Sequence, residues 1–125
     1  MARYDELEAY KCVYDTLLMT YRQIRTVPRE IRYTLLEQLR NELVDVLMLI
    51  TEANMTREKL KPIKEARKLL QKAKLRLRLL KDLKCISDAL YETFCEKTVS
   101  ASKQLVGWQR YAATHMEKQS NLSDE

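Results

Sequence analysis

Between Arg57 and Lys84 the chain sets twelve lysines and arginines against three acids, Glu58, Glu65 and Asp82, a local net charge of +9 in a protein whose total is +5. The rest of the chain must therefore sum to −4. Cations at that density on a mildly acidic body do one kind of chemistry, which is to meet phosphates or an acidic partner. Projected as a helix, Arg57, Lys61, Lys64, Lys68 and Lys72 share one arc, while Arg67, Lys74, Arg78 and Lys81 share another on the opposite flank of the apolar seam. The candidate nucleic-acid contacts are Arg67, Lys68, Lys72, Lys74, Arg76, Arg78 and Lys81, with Lys61 and Lys64 as lesser members.

Such a surface works by neutralising phosphates and releasing counterions, so affinity falls steeply with salt and carries little sequence information. Base stacking is not expected, because few aromatics interleave with these lysines and most tyrosines fall on the seam of the first helix. The competing reading is a solvated face, since Lys and Arg are good helix formers and keep a bundle soluble. Against it stands the scarcity of acids at i,i+4, where a merely solvated face mixes both signs.

Catalytic chemistry finds little material. One histidine, His115, lies in a polar tail, so no Ser/His or Cys/His pair can form in a rigid part of the fold. Glu-x-x-His motifs of a di-iron bundle are absent, and the single glycine, Gly107, cannot build a phosphate loop. Cys12, Cys85 and Cys95 show no C-x-x-C spacing and read as reduced apolar side chains. Glu37, Glu42, Asp45 and Glu52 read as solvated or salt-bridging groups of the second helix. No catalytic residue, metal or cofactor is assigned, and the expectation is a protein that is not an enzyme.

The elements that must carry the basic face are helical. One glycine and two prolines in 125 residues leave little material for hairpins and point to an all-α protein of long helices and short joints. Apolar residues recur at spacings of three and four in four ladders. The first is Leu7, Tyr10, Tyr14, Leu17, Tyr21, Ile24, and the second, after Pro28, is Leu36, Leu39, Leu43, Val46, Ile50, Ala53. The third is Ile63, Ala66, Leu70, Ala73, Leu77, Leu80, and the fourth is Tyr91, Phe94, Thr98, Ala101, Leu105, Trp108. Thr56 is a candidate N-cap for the third helix, whose start Pro62 leaves open between Arg57 and Pro62, and Ser87-Asp88 offer a cap and first-turn acid for the fourth. The expected architecture is an antiparallel up-down four-helix bundle over residues 1–113, with 114–125 a disordered tail.

Leu75, Leu79, Leu83 and Ile86 form a second apolar stripe on the third helix, and Leu35, Met48 and Leu49 lie beside the seam of the second. Either the core stripe is wide, or these residues are an oligomer interface. The start of the chain lacks a signal-like apolar stretch and the longest apolar run is Val46 to Ile50, so a soluble, cytoplasmic protein with no membrane partner is expected.

Pro28 to Leu35 followed by Glu37-Gln38-Leu39-Arg40 resembles the second-helix opening of the bacterial four-helix-bundle superfamily that includes the ribosomal intervening-sequence proteins. Thr51-Glu52-Ala53-Asn54, Leu79 to Lys84 with Ile86-Ser87, and Gly107-Trp108 resemble the Avd family, the accessory variability determinants of diversity-generating retroelements. The resemblance spans roughly Leu7 to Tyr111 and rests on scattered helix-face residues. Where the intervening-sequence branch carries a small-residue, proline-containing segment in its second helix and a glycine at its end, this chain has Glu42-Leu43-Val44-Asp45-Val46 and Asn54, a departure that favours the Avd branch. The resemblance implies a homopentamer of four-helix bundles that associates with the retroelement's reverse transcriptase and with RNA and DNA, supporting mutagenic copying without being the polymerase. The other branch would instead imply a structural or protein-interaction bundle with no nucleic-acid role.

Overall fold

The computed structural model describes residues 7–123, with side chains over 7–115. Residues 1–6 and 124–125, expected to belong to the bundle and to the tail, lie outside the described residues. The protein is all-helical, with four helices and no strand among the described residues. Helix α1 is Glu8–Arg22, and α2 covers 29–55 as Arg29–Ile31, a π-helical turn at Arg32–Leu36, and Glu37–Met55. Helix α3 is Leu60–Asp82 and α4 is Asp88–Ser123. The fourth helix thus continues past 113, where a polar tail was expected to begin, because Ala112 still packs with Ala53 and Ile63 at that end of the molecule.

Each helix packs on its neighbours in the chain, and α1 also packs on α4. The core so enclosed contains every member of the second and third ladders, from Leu36 to Ala53 and from Ile63 to Leu80. Phe94, Thr98, Ala101 and Leu105 of the fourth ladder are buried with them, while Tyr91 and Trp108 are partly buried at its ends.

The first ladder is the one the structure corrects in part. Ile24 is buried and Leu7, Tyr10 and Leu17 pack against the core, but Tyr14 and Tyr21 are exposed, and the buried positions of α1 are Ala9, Val13, Thr16, Met19 and Thr20. Small residues win there because the two threonines satisfy themselves: Thr16 Oγ1 donates to Cys12 O at 2.8 Å and Thr20 Oγ1 to Leu17 O at 2.6 Å. A tyrosine on that face would bury a phenol needing a partner, so the rings turn to the rim, where the hydroxyl stays wet.

The joints follow local chemistry. Ser87 caps α4, its Oγ accepting from the Leu90 amide at 3.0 Å, with Asp88 in the first turn as expected. Thr56 accepts from the Glu58 amide at 3.3 Å, yet α3 starts only at Leu60, which leaves Pro62 in the first turn, where it costs no hydrogen bond. Helix α3 ends in a Schellman motif: the Cys85 amide donates to Leu80 O and the Lys84 amide to Lys81 O. Lys84 itself takes φ 60°, the left-handed position that usually selects glycine, so the chain keeps a cation where a smaller residue would be less strained.

Candidate nucleic-acid interface

Because Ala66, Leu70, Ala73 and Leu77 point α3 into the core, the cations between them must lie outward or on its flanks. On the outward face, Lys61, Lys64, Lys68 and Lys72 are all exposed and occupy the N-terminal half of the helix. Leu75 (62% exposed) and Leu79 (41%) continue the same face toward the C-terminus, with Leu83 (53%) just past the last turn. The outward surface of α3 therefore changes from basic to apolar along its length, rather than running as leucines between two equal basic edges.

Of the second arc, Arg67 and Lys81 reach α4, Lys74 is half-buried and Arg78 is exposed. Arg67 donates from Nη1 to Gln109 Oε1 at 2.6 Å, and Lys81 Nζ lies 5.0 Å from the centre of the Tyr91 ring. Arg78 bonds Asp82 one turn on, and that carboxylate, followed by Tyr91, raises the guanidinium above its ordinary pKa. Tyr91 is in turn raised above the usual phenol range, first by its hydrogen bond with Cys95 and then by burial, against the pull of Arg78. Burial likewise raises the Cys85 thiol, which keeps it in the neutral form expected of a packing residue.

Two members of the predicted sites change role. Arg76 is a fold residue: its Nε donates to both carboxylate oxygens of Glu42 on α2, at 2.8 and 2.9 Å, with the side chains only 26% and 13% exposed. Of the two roles expected for Glu42, solvated or salt-bridging, it takes the second, on a side chain that is mostly buried. Ile86 is 8% exposed and belongs to the core, so it cannot serve an oligomer interface, because the turn after α3 swings it beneath the leucines it was grouped with. Leu35 and Leu49 pack partly against the core as well, leaving Met48 alone of that trio on the surface.

Breaking the Arg76–Glu42 pair strands a partly buried charge, so Arg76→Ala is expected to lower stability by about 2 kcal/mol, below the full cost of a wholly buried pair. Chemical denaturation checks it, and the double change Arg76→Met with Glu42→Leu is expected to recover most of the loss. A nucleic-acid role for Arg76 would instead show as weaker binding with stability unchanged.

A second basic cluster went unpredicted. Arg22, Arg25, Arg29, Arg32 and Arg40 lie within nineteen residues that hold no lysine, facing only Glu30 and Glu37. Arg29, Arg32 and Arg40 of this cluster lie beside Tyr21 and Tyr33, each 61% exposed. The Arg40 guanidinium sits 4.0 Å from the Tyr21 ring centre and Arg29 lies 5.7 Å from that of Tyr33. A cleft of about 320 Å³ between α1 and α2 is lined by Tyr21, Arg32, Tyr33, Glu37, Arg40 and Asn41. The signal available in the sequence was the run of arginines without lysine across Pro28, masked by assigning Tyr21 to the core.

Among the described residues no group of His, Cys, Asp and Glu side chains is placed to hold a metal ion, and no helix is long and apolar enough to cross a membrane. Comparison of the chain with protein-family models, with curated proteins and with solved structures finds no match.

Proposed function

We propose that the chain is a non-enzymatic accessory subunit of a diversity-generating retroelement, an oligomeric, antiparallel up-down four-helix bundle that holds template RNA or nascent cDNA near the reverse transcriptase. The observation that carries the reading is the outward face of α3, where four exposed lysines with no ion pair among the described residues adjoin three exposed leucines. The lysines suit phosphate, and the leucines suit a second copy of the chain, with the pentamer of the resembled family as the expected assembly. The antiparallel order is supported by paired contacts: Cys12 meets Ser100 while Asp15 meets Lys97, and Arg67 meets Gln109 while Lys81 meets Tyr91. In both pairs the number falls on one helix as it rises on the other.

Mechanistically the subunit neutralises charge and scaffolds, and it neither makes nor breaks a bond. The direct test is retardation of structured RNA and duplex DNA in a salt series, together with recovery of the reverse transcriptase from the native host on the tagged chain. Binding that weakens sharply toward physiological salt, with the polymerase recovered, is the expected result. Salt-independent retardation, or none, removes the nucleic-acid role.

A further inference from the structure

We propose that the junction of α1 and α2 is a separate binding site for single-stranded nucleic acid, with unpaired bases stacked on Tyr21 and Tyr33 and the surrounding arginines holding phosphates. It rests on the proposed function only for the class of ligand, since it uses none of the α3 residues.

The geometry is that of a stacking platform. Arg40 is fixed by two hydrogen bonds to α1, from Nη2 to Thr20 O at 2.8 Å and from Nε to Thr20 Oγ1 at 3.3 Å, and its guanidinium covers one side of the Tyr21 ring. Arg29 lies likewise over Tyr33. With 61% of each tyrosine exposed, each ring keeps open surface, and a base resting there would complete a guanidinium–phenol–base stack. Arginine rather than lysine suits this role, because a planar guanidinium stacks on rings and grips phosphate through two parallel donors.

The backbone assists. The Glu37 amide reaches back to Arg32 O, five residues away, and this π-helical turn rotates the start of α2 relative to its remainder, so that Tyr33 and Arg32 line the same cleft as Tyr21. Such turns recur at functional sites. Glu37 and Asn41 at the cleft supply an acceptor and an amide, the groups that read exposed base edges. A duplex hides its base faces and offers nothing to these rings, which is why the site selects single strands.

The test measures binding of labelled oligothymidylate and of a blunt duplex to the full chain carrying Tyr21→Ala with Tyr33→Ala, or Tyr21→Phe with Tyr33→Phe. The alanine pair is expected to weaken oligothymidylate at least about tenfold while the phenylalanine pair stays within about twofold, with duplex binding unmoved in both. Helix content by circular dichroism should not change, because both rings lie outside the core. Oligothymidylate binding within twofold of the parent in the alanine pair, or none in the parent, overturns the site. Loss of duplex binding on charge reversal of α3 with both tyrosine variants silent would overturn this site and leave the α3 reading standing. The reverse pattern would do the opposite.

Discussion

Changing Lys61, Lys64, Lys68 and Lys72 together to Glu is expected to weaken duplex DNA binding by more than about 100-fold at physiological salt and to flatten the log–log salt slope by about 3 to 4. Each lysine that neutralises a phosphate releases a counterion and contributes about 0.9 to that slope, so the flattening measures how many phosphates these side chains neutralise. The fold should tolerate the change: all four side chains are exposed, and acids toward the start of α3 favour its dipole. A companion variant with Lys11, Lys97, Lys103 and Arg110 changed to Glu alters net charge by the same amount from other helices. It is expected to lose far less affinity. Equal loss in the two variants would mean that overall charge, and no particular face, attracts the nucleic acid, and would sink α3 as the interface.

The choice of those four lysines shows where the sequence was sufficient and where it was not. Leu36 to Ala53 and Ile63 to Leu80 were readable because every third or fourth residue is a large aliphatic with no polar atom to satisfy, and such residues have one place to go. Tyr14 and Tyr21 of the first ladder were misread for the opposite reason. Tyrosine is apolar enough to mimic a seam and polar enough to prefer the rim, while Thr16 and Thr20 look like surface until their hydroxyls are seen returning to α1's own carbonyls.

That misreading hid the arginine–tyrosine junction, since Tyr21, once assigned to the core, could not also face solvent. Arg76 illustrates a different limit. Its charge matches that of its neighbours, and only the approach of Glu42 from α2 distinguishes a fold residue from a phosphate contact. Ile86 lies on a helical projection with Leu75, Leu79 and Leu83, but the helix has ended before it, and the turn at Lys84 redirects the chain into the core. Periodicity holds only while the helix does.

Leu75→Glu with Leu79→Glu is expected to convert an assembly larger than a dimer into a 14.9 kDa monomer by light scattering at micromolar concentration, with no loss of helix. In the isolated chain both side chains already face water, so the substitution removes little from the fold. Buried between copies, each leucine would contribute about 1.5 to 3 kcal/mol, and a glutamate in its place would carry an unpaired charge into the interface. Ile86 cannot serve the same test, because a charge at that buried position would unfold the chain and abolish assembly for an uninformative reason. The dissociated variant should also bind long duplex DNA about 10- to 100-fold more weakly although every lysine of α3 is intact, because linked basic faces hold one polymer at high effective concentration and a lone face does not. A monomeric parent would remove the interface. A parent that assembles, paired with a monomeric variant whose affinity for long duplex is unchanged, would separate assembly from nucleic-acid binding and place the whole of that affinity on Lys61, Lys64, Lys68 and Lys72 of a single subunit.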